Sequence, residues 1–497
     1  PQSTAATTLC TRGVPSAVAD FMHRVVAEHL QAHGGAPAEA ALHWAACGEW
    51  LRAGRAYRQA AQEARARALA NEHADLLDRA IDAFERSPDH QVELFEALDE
   101  RAGADESTGH EARRPQFVDR LQALARSEPQ HLAALNHRYG LLSNTGQPVD
   151  EAQALAAIDR SHALGLHQTA WEFSRVLGWQ YAMNDRADEG LALMRANEPW
   201  VTDQAPPRTR AAYRLARANV FAFGDRLAEA IDEGRQALAA SAQAGDWPNA
   251  LPAMSNLGVM HYWRSENEAA RQVLEQARER REALYGRGGA GLKIDIHLGA
   301  VLYELGRYDE ARQMLHGVLQ AMADWPDNDY TRLDRLLTQN HLAQMAIALG
   351  QADEAASMLV DDAHGVADRF RGRRLTLRLR WQREFGQVDA AGVTELQTLA
   401  ATLASPFNNA LNRLELARLL PPAQALVQYQ ALGNSPVALQ RPGLQLHAVV
   451  LGALAARACG NQAAEGPLAD IARALHTRTA AFDLPKDELA RRMSELG

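Results

Sequence analysis

Tyr285-Gly286-Arg287-Gly288-Gly289-Ala290-Gly291-Leu292-Lys293 comes nearest to phosphate chemistry in this sequence. A phosphate-cradling loop needs Lys directly after its last Gly, then Ser or Thr for magnesium, between a strand and a helix. Here Leu292 intervenes, Ile294 follows Lys293 and helical patterns flank both sides, so the stretch reads as an inter-helix loop. His29 and His33 are four apart, which sets two imidazoles on one helix face as metal ligands would be. No third ligand accompanies them, and they read as solvated histidines; the pairs His131 and His137, and His162 and His167, offer less. Asp309-Glu310 and Asp353-Glu354 are types suited to general acid and base work. They recur at one place in successive units, however, which gives them a helix-start role beside free backbone amides. No Gly-x-Ser-x-Gly surrounds a nucleophilic Ser. The expectation is no catalytic centre, no metal site and no cofactor, hence no enzyme.

The elements that would carry a site follow from a recurring phrase. Leu305-Gly306-Arg307-Tyr308-Asp309-Glu310-Ala311 returns as Leu349-Gly350-Gln351-Ala352-Asp353-Glu354-Ala355 and more loosely from Phe385 to Ala391. Upstream, Asn184 to Gly190, Gly224 to Ala230 and Arg264 to Ala270 align with it. Gly, Asn or Asp ends one helix and an acidic residue opens the next, so each phrase is a turn between two helices. Twelve residues before the small residue of each second helix stands another: Gly140 with Ala152, Gly178 with Gly190, Ala218 with Ala230, Gly258 with Ala270, Gly299 with Ala311, Ala343 with Ala355. Small residues at both places let antiparallel helices approach, and Leu274 and Leu315 are expected to fill the gap between neighbouring hairpins.

This pattern resembles the tetratricopeptide repeat. Successive units lie 38, 40, 40, 41 and 44 residues apart, longer than the family's unit of about 34. The fold expected is all-α, a right-handed superhelical solenoid of about ten to twelve antiparallel helix pairs, most regular from Leu135 to Leu359. Residues 1–36 would be the tail of a preceding module and a linker helix, 37–130 irregular hairpins, 131–400 the regular array, and 401–497 degenerate repeats with a capping helix. Val18, Phe21, Met22, Val25, Val26 and Leu30 form one apolar stripe on the first helix, Gly103 to Gly109 reads as a loop, and residues 1–13 as irregular.

The resemblance also implies a groove lined by first helices. Its places hold Arg175 and Trp179, Leu215 and Asn219, Asn256 and Tyr262, Lys293 and His297, Asn340 and Gln344. Peptide-binding arrays of this kind hold a backbone with Asn amides and clamp a carboxylate with basic residues, which matches Asn219, Asn256, Lys293 and His297. An Asn offers both donor and acceptor and a Lys a point charge; Trp179, Tyr213, Phe221, Tyr262 and Trp263 would add apolar walls. The other reading of the same residues is inter-helix hydrogen bonding and packing.

His43-Trp44-Ala45-Ala46-Cys47-Gly48, within a helical stretch from Val18 to Ile81, resembles the junction in large bacterial signal-transducing ATPase regulators of the maltose-activator and antibiotic-regulatory types. The resemblance implies that a nucleotide-binding module precedes this chain, which opens on Pro1. Function would be that of a signal-sensing, self-associating arm of a transcriptional regulator, taking a small-molecule or peptide inducer or a partner protein. A stand-alone interaction scaffold, or an enzyme with a site assembled across repeats, are the alternatives. A net charge of -10 argues against direct nucleic-acid binding. Only Lys293 and Lys486 are lysine, and the Ala and Arg abundance suggests a bacterial source. No apolar run reaches the length of a membrane span, and the expected place is the cytoplasm. Cys10, Cys47 and Cys459 share no ligand or redox spacing and read as buried apolar residues.

Overall fold

The computed structural model describes residues 15–67, 69–108, 113–145, 147–200, 207–243, 245–285, 291–325, 327–360 and 367–496. Among these the regular elements are all helical. Two compact units divide the chain, Pro1–Arg138 and Tyr139–Gly497.

The first unit holds α1 (Ser16–Ala32), α2 (Pro37–Ala46), α3 (Trp50–Ala66), α4 (Ala70–Glu85), α5 (Gln91–Thr108), α6 (Arg114–Leu124) and most of the described start of α7 (Glu128–Thr145). Each of α1 to α5 packs on its successor. Gly48 ends the α2 turn at φ +77, Trp44 is buried, and Gly54 of α3 meets Phe84, whose ring would stand 2.5 Å from an added Cβ. One expectation is corrected here. Gly103 to Thr108 is the end of α5 and not a loop; Ala102 and Ala104 are buried there, and that packing outweighs the helix cost of one Gly. The stripe on α1 faces outward: Phe21 is 66% exposed and Val18 48%, while His23 and Ala27 turn inward. Residues 1–13 and Gly109 lie outside the described residues.

The second unit continues with α8 (Glu151–Ala163), α9 (His167–Met183), α10 (Ala187–Arg195), α11 (Pro207–Phe223), α12 (Leu227–Gln243), α13 (Trp247–Trp263), α14 (Asn267–Tyr285), α15 (Lys293–Glu304), α16 (Tyr308–Ala321), α17 (Asp329–Ala348) and α18 (Ala352–Met358). It closes with α19 (Asp368–Phe385), α20 (Ala390–Thr402), α21 (Pro406–Ala417), α22 (Pro422–Gly433), α23 (Pro436–Gln440), α24 (Pro442–Ala458), α25 (Gln462–His476) and α26 (Lys486–Leu496). The recurring phrase lies between α9 and α10, α11 and α12, and so on to α19 and α20. Its second residue sits in the left-handed region at Asp185, Asp225, Ser265, Gly306 and Gly350. The residue after it donates its amide to a carbonyl five back, as from Arg226 to Phe221 and from Arg307 to Leu302. That bond closes each first helix with the motif that requires a left-handed residue. Gly386 breaks the series; α20 is instead capped by the Asp389 carboxylate, which accepts from the amides of Ala391 and Gly392.

Small residues set the hairpin spacing. A Cβ on Gly190 would come within 2.5 Å of the Gly178 carbonyl. Leu274 and Leu315 press on Gly258 and Gly299, the glycines of their own hairpins, where added Cβ atoms would meet them at 2.5 and 2.7 Å. Their place is therefore inside the hairpin, not between neighbours. The first helices α9, α11, α13, α15, α17 and α19 each pack on the next, whereas the second helices show no comparable packing on one another among the described residues. The first helices therefore form the inner, concave layer, and the unit is a TPR-like solenoid of antiparallel helix pairs.

Candidate functional site

The inner layer brings two of the expected residues into contact. Asn256 Nδ2 on α13 donates to Asn219 Oδ1 on α11 at 3.0 Å. Both side chains are half-buried, and the remaining amide atoms, Asn256 Oδ1 and Asn219 Nδ2, carry no other hydrogen bond among the described residues. One acceptor and one donor thus stand side by side on the inner layer, the complement of a peptide group.

One hairpin on, Lys293 and His297 lie a turn apart on α15. Lys293 Nζ is 4.0 Å from the buried Asp334 carboxylate on α17. Burial, with His341 and Lys293 nearby, pushes the His297 imidazole down to about 3, and burial with Arg373 pushes His341 down to about 4. Both rings keep part of their surface accessible.

The other expected residues are engaged in structure. Arg175 pairs with Glu172 at 2.7 Å. Trp179 is tilted against Phe223, ring centroids 5.6 Å apart. Asn340 is buried between α17 and α19, its Oδ1 accepting from Arg374 at 2.9 Å, and Gln344 accepts from Arg373 at 2.7 Å. Asn340 and Gln344 thus fit the inter-helix reading.

Tyr262 lies under a segment that sequence reasoning placed elsewhere. The last helices were expected to cap the end of the stack; between α25 and α26 the non-helical stretch Thr479–Pro485 also returns across the first-helix ends. Its Phe482 ring packs at 5.1 Å from Tyr262 and edge-on at 5.6 Å from Phe407. The Asp483 carboxylate accepts from Arg373 at 2.6 and 2.9 Å and from Arg380 at 2.9 Å, and its amide donates to Glu304 at 3.0 Å. His447 meets the Phe482 carbonyl at 2.8 Å. Upstream, Arg441 bonds Asp225 at 2.5 and 3.0 Å and covers Phe407 at 4.0 Å, and a Cβ on Gly443 would strike Ser265 Oγ at 1.8 Å. The turns at Asp225 and Ser265 are thus docking points for α24.

The charges beneath this strap are buried together. Burial alone would raise the Asp483 carboxyl, but Arg373 and Arg380 override it and hold it far below the usual range. Glu415 shows the same balance against Arg380, Arg418 and Arg383. Glu304 goes the other way, pushed well up by burial and by Asp483. The signal for this cluster was present but unread: α19 packs Arg373, Arg374, Arg378, Arg380 and Arg383 among buried Leu375, Leu377 and Leu379. So dense a guanidinium helix in an acidic chain needs internal carboxylates.

The remaining candidates resolve simply. Gly286 to Ala290 of the glycine-rich stretch lie outside the described residues, and Lys293 opens α15. His29 and His33 are exposed and stacked, centroids 4.1 Å apart. Glu189, Glu229 and Glu310 sit in first helical turns, each bonded to the Arg three residues earlier. Two cysteines differ from expectation: Cys47 is half-buried and Cys459 exposed, because each sits where its helix ends, with the thiol on a carbonyl three residues back. Cys10 lies outside the described residues. Among the described residues no helix is long and apolar enough to cross a membrane.

A tetratricopeptide-repeat profile matches residues 253–289 and 296–322, the hairpins α13/α14 and α15/α16. No curated protein matches significantly. Solved structures with similarity include the apo quorum sensor NprR from B. thuringiensis, at 15% identity over 68% of this chain and 97% of that one, TM-score 0.43. A Rap protein complexed with competence and sporulation factor shows 13% identity over 80% and 98%, TM-score 0.45. The Cut9-Hcn1 assembly shows 12% over 93% and 75%, TM-score 0.45.

Proposed function

We propose that the second unit is the recognition arm of a signal-sensing regulatory protein, a multidomain bacterial transcriptional regulator, whose inner face binds an extended peptide or a small molecule with peptide-like polar groups. The observation that carries this reading is the Asn219–Asn256 pair, which leaves one donor and one acceptor on the inner layer with no other partner among the described residues. Lys293 and His297, one hairpin further, supply a cation and a neutral imidazole. Arg175, Trp179, Tyr262 and Asn340 support the walls rather than the contacts. A ligand that favours one curvature of the array over another shifts the protein between two states by its difference in affinity.

The chain's part is binding, not catalysis, in a cytoplasmic setting. A partner protein in place of an inducer is the second reading, favoured by the outward apolar stripe on α1, because exposed apolar surface of this kind marks interaction sites. Self-association through the full-length protein is compatible with it. The test is a thermal-shift screen of short peptides and cell-extract fractions against the wild type, Asn256→Ala and Lys293→Ala. A ligand that binds only the folded state raises Tm, and its effect is expected to vanish in Asn256→Ala and weaken in Lys293→Ala. Fractions that stabilise all three proteins equally would remove these residues from the site.

A further inference from the structure

The strap Thr479–Pro485 sits on the inner face as a ligand would. It has no helical ladder, and it is seated by the Phe482 ring, the Asp483 carboxylate, a few main-chain bonds and the buried side chains of Ala481 and Leu484. Phe482 fills the space between Tyr262 and Phe407. Asp483 adopts φ +63, a left-handed conformation uncommon outside Gly although Asp tolerates it better than most residues. What holds Asp483 is the clamp of Arg373, Arg380 and Glu304.

The cleft has more recognition capacity than this occupant uses. Arg373, Arg380, Arg383 and Arg418 converge on Asp483 and Glu415, with Glu384 pairing Arg383 from the exposed side, while burial and Asp483 push the Glu304 carboxyl well up. One buried polar atom there, Glu304 Oε2, has no hydrogen-bond partner among the described residues. Buried polar groups are ordinarily satisfied, so an unpaired carboxyl oxygen beside the strap is consistent with a fuller complement in another bound state.

We propose that the Arg373–Arg380 cleft beneath Tyr262 and Phe407 is a receptor for an aromatic residue followed directly by a carboxylate, that Phe482-Asp483 occupies it in cis, and that a partner peptide of the same chemistry takes its place. This rests on reading the inner face as a peptide-recognition surface and adds the side-chain chemistry recognised and the self-occupancy that regulates it.

The probe is a fluorescein-labelled peptide of residues 479–487, titrated by anisotropy against the full chain. The wild type takes it up weakly, because apparent affinity falls with the fraction of clefts left open. Asp483→Asn in the full chain opens the cleft and tightens peptide binding by about tenfold or more. Phe482→Ala acts in the same direction with the charge cluster still paired, and serves should Asp483→Asn fail to fold by circular dichroism. A peptide carrying Asn in place of its own Asp binds none of these proteins, and Arg380→Gln loses the labelled peptide. Equal uptake by wild type and both strap variants, or equal binding of the Asn peptide, overturns the proposal. A screened ligand that depends on Asn256 yet binds wild type and Asp483→Asn equally overturns self-occupancy and leaves the recognition reading standing. Tight labelled-peptide binding by the strap variants, with no Asn256-dependent ligand found, does the reverse.

Discussion

Acidification from pH 7 to pH 5 should destabilise the second unit through His297 and His341. Both imidazoles are neutral in the fold, with values pushed down to about 3 and about 4 by burial, against about 6.5 in an unfolded chain. The sign follows from proton binding: between 6.5 and the folded values the unfolded chain binds more protons, so stability is full above 6.5 and falls as pH drops through that window. At pH 5 the unfolded ring is protonated over about 1.5 units of pH, worth at most about 2 kcal/mol for each histidine and about 4 kcal/mol for both. Part of each ring stays accessible, so screening brings the sum nearer to about 2–3 kcal/mol. Urea denaturation followed by tryptophan fluorescence at pH 7, 6 and 5 measures it, with His297→Gln/His341→Gln as the reference that cannot titrate. The wild type should lose stability steeply and the double variant about 2–3 kcal/mol less. Parallel pH profiles would show that neither ring is desolvated and would remove the enclosed inner face on which the binding site depends.

Other outcomes follow from close packing and buried charge. Gly190→Ala places a methyl against the Gly178 carbonyl and should cost about 1–3 kcal/mol in urea unfolding; an unchanged midpoint would mean that α9 and α10 are not in close contact. Arg441→Met leaves the half-buried Asp225 without its partner and should cost about 3 kcal/mol, with faster hydrogen exchange in α24 as the local readout. Phe21→Ser, on the exposed stripe of α1, should change stability by no more than about 0.5 kcal/mol while reducing dye binding or self-association seen by light scattering.

The hairpin array was legible because its signals are local. A left-handed residue after each first helix is written as Asp185, Asp225, Ser265, Gly306 or Gly350, and close helix approach as Gly178 with Gly190; both lie within a dozen residues of their partners. The candidate site was legible only in part. Asn219 and Asn256 do meet on the inner layer, but Asn340 turns to Arg374, because a one-residue choice of helix face decides between groove and packing. The strap was not legible at all. Asp483 contacts Arg373 across 110 residues and Arg441 contacts Asp225 across 216, and no periodicity encodes pairing at such separations. The α1 stripe had the pattern of a buried face and is exposed, since periodicity gives amphipathicity and not what covers it.

Hydrogen exchange of residues 479–485 in the intact wild-type chain bears most directly on whether the inner face holds this strap. The Phe482 amide is bonded to the Gly443 carbonyl and the Asp483 amide to Glu304, each at 3.0 Å. If the strap is seated, these amides exchange slowly in the wild type and accelerate in Asp483→Asn while α24 and α25 stay protected. Exchange at the rate of an open chain in the wild type would mean that the strap does not occupy the inner face.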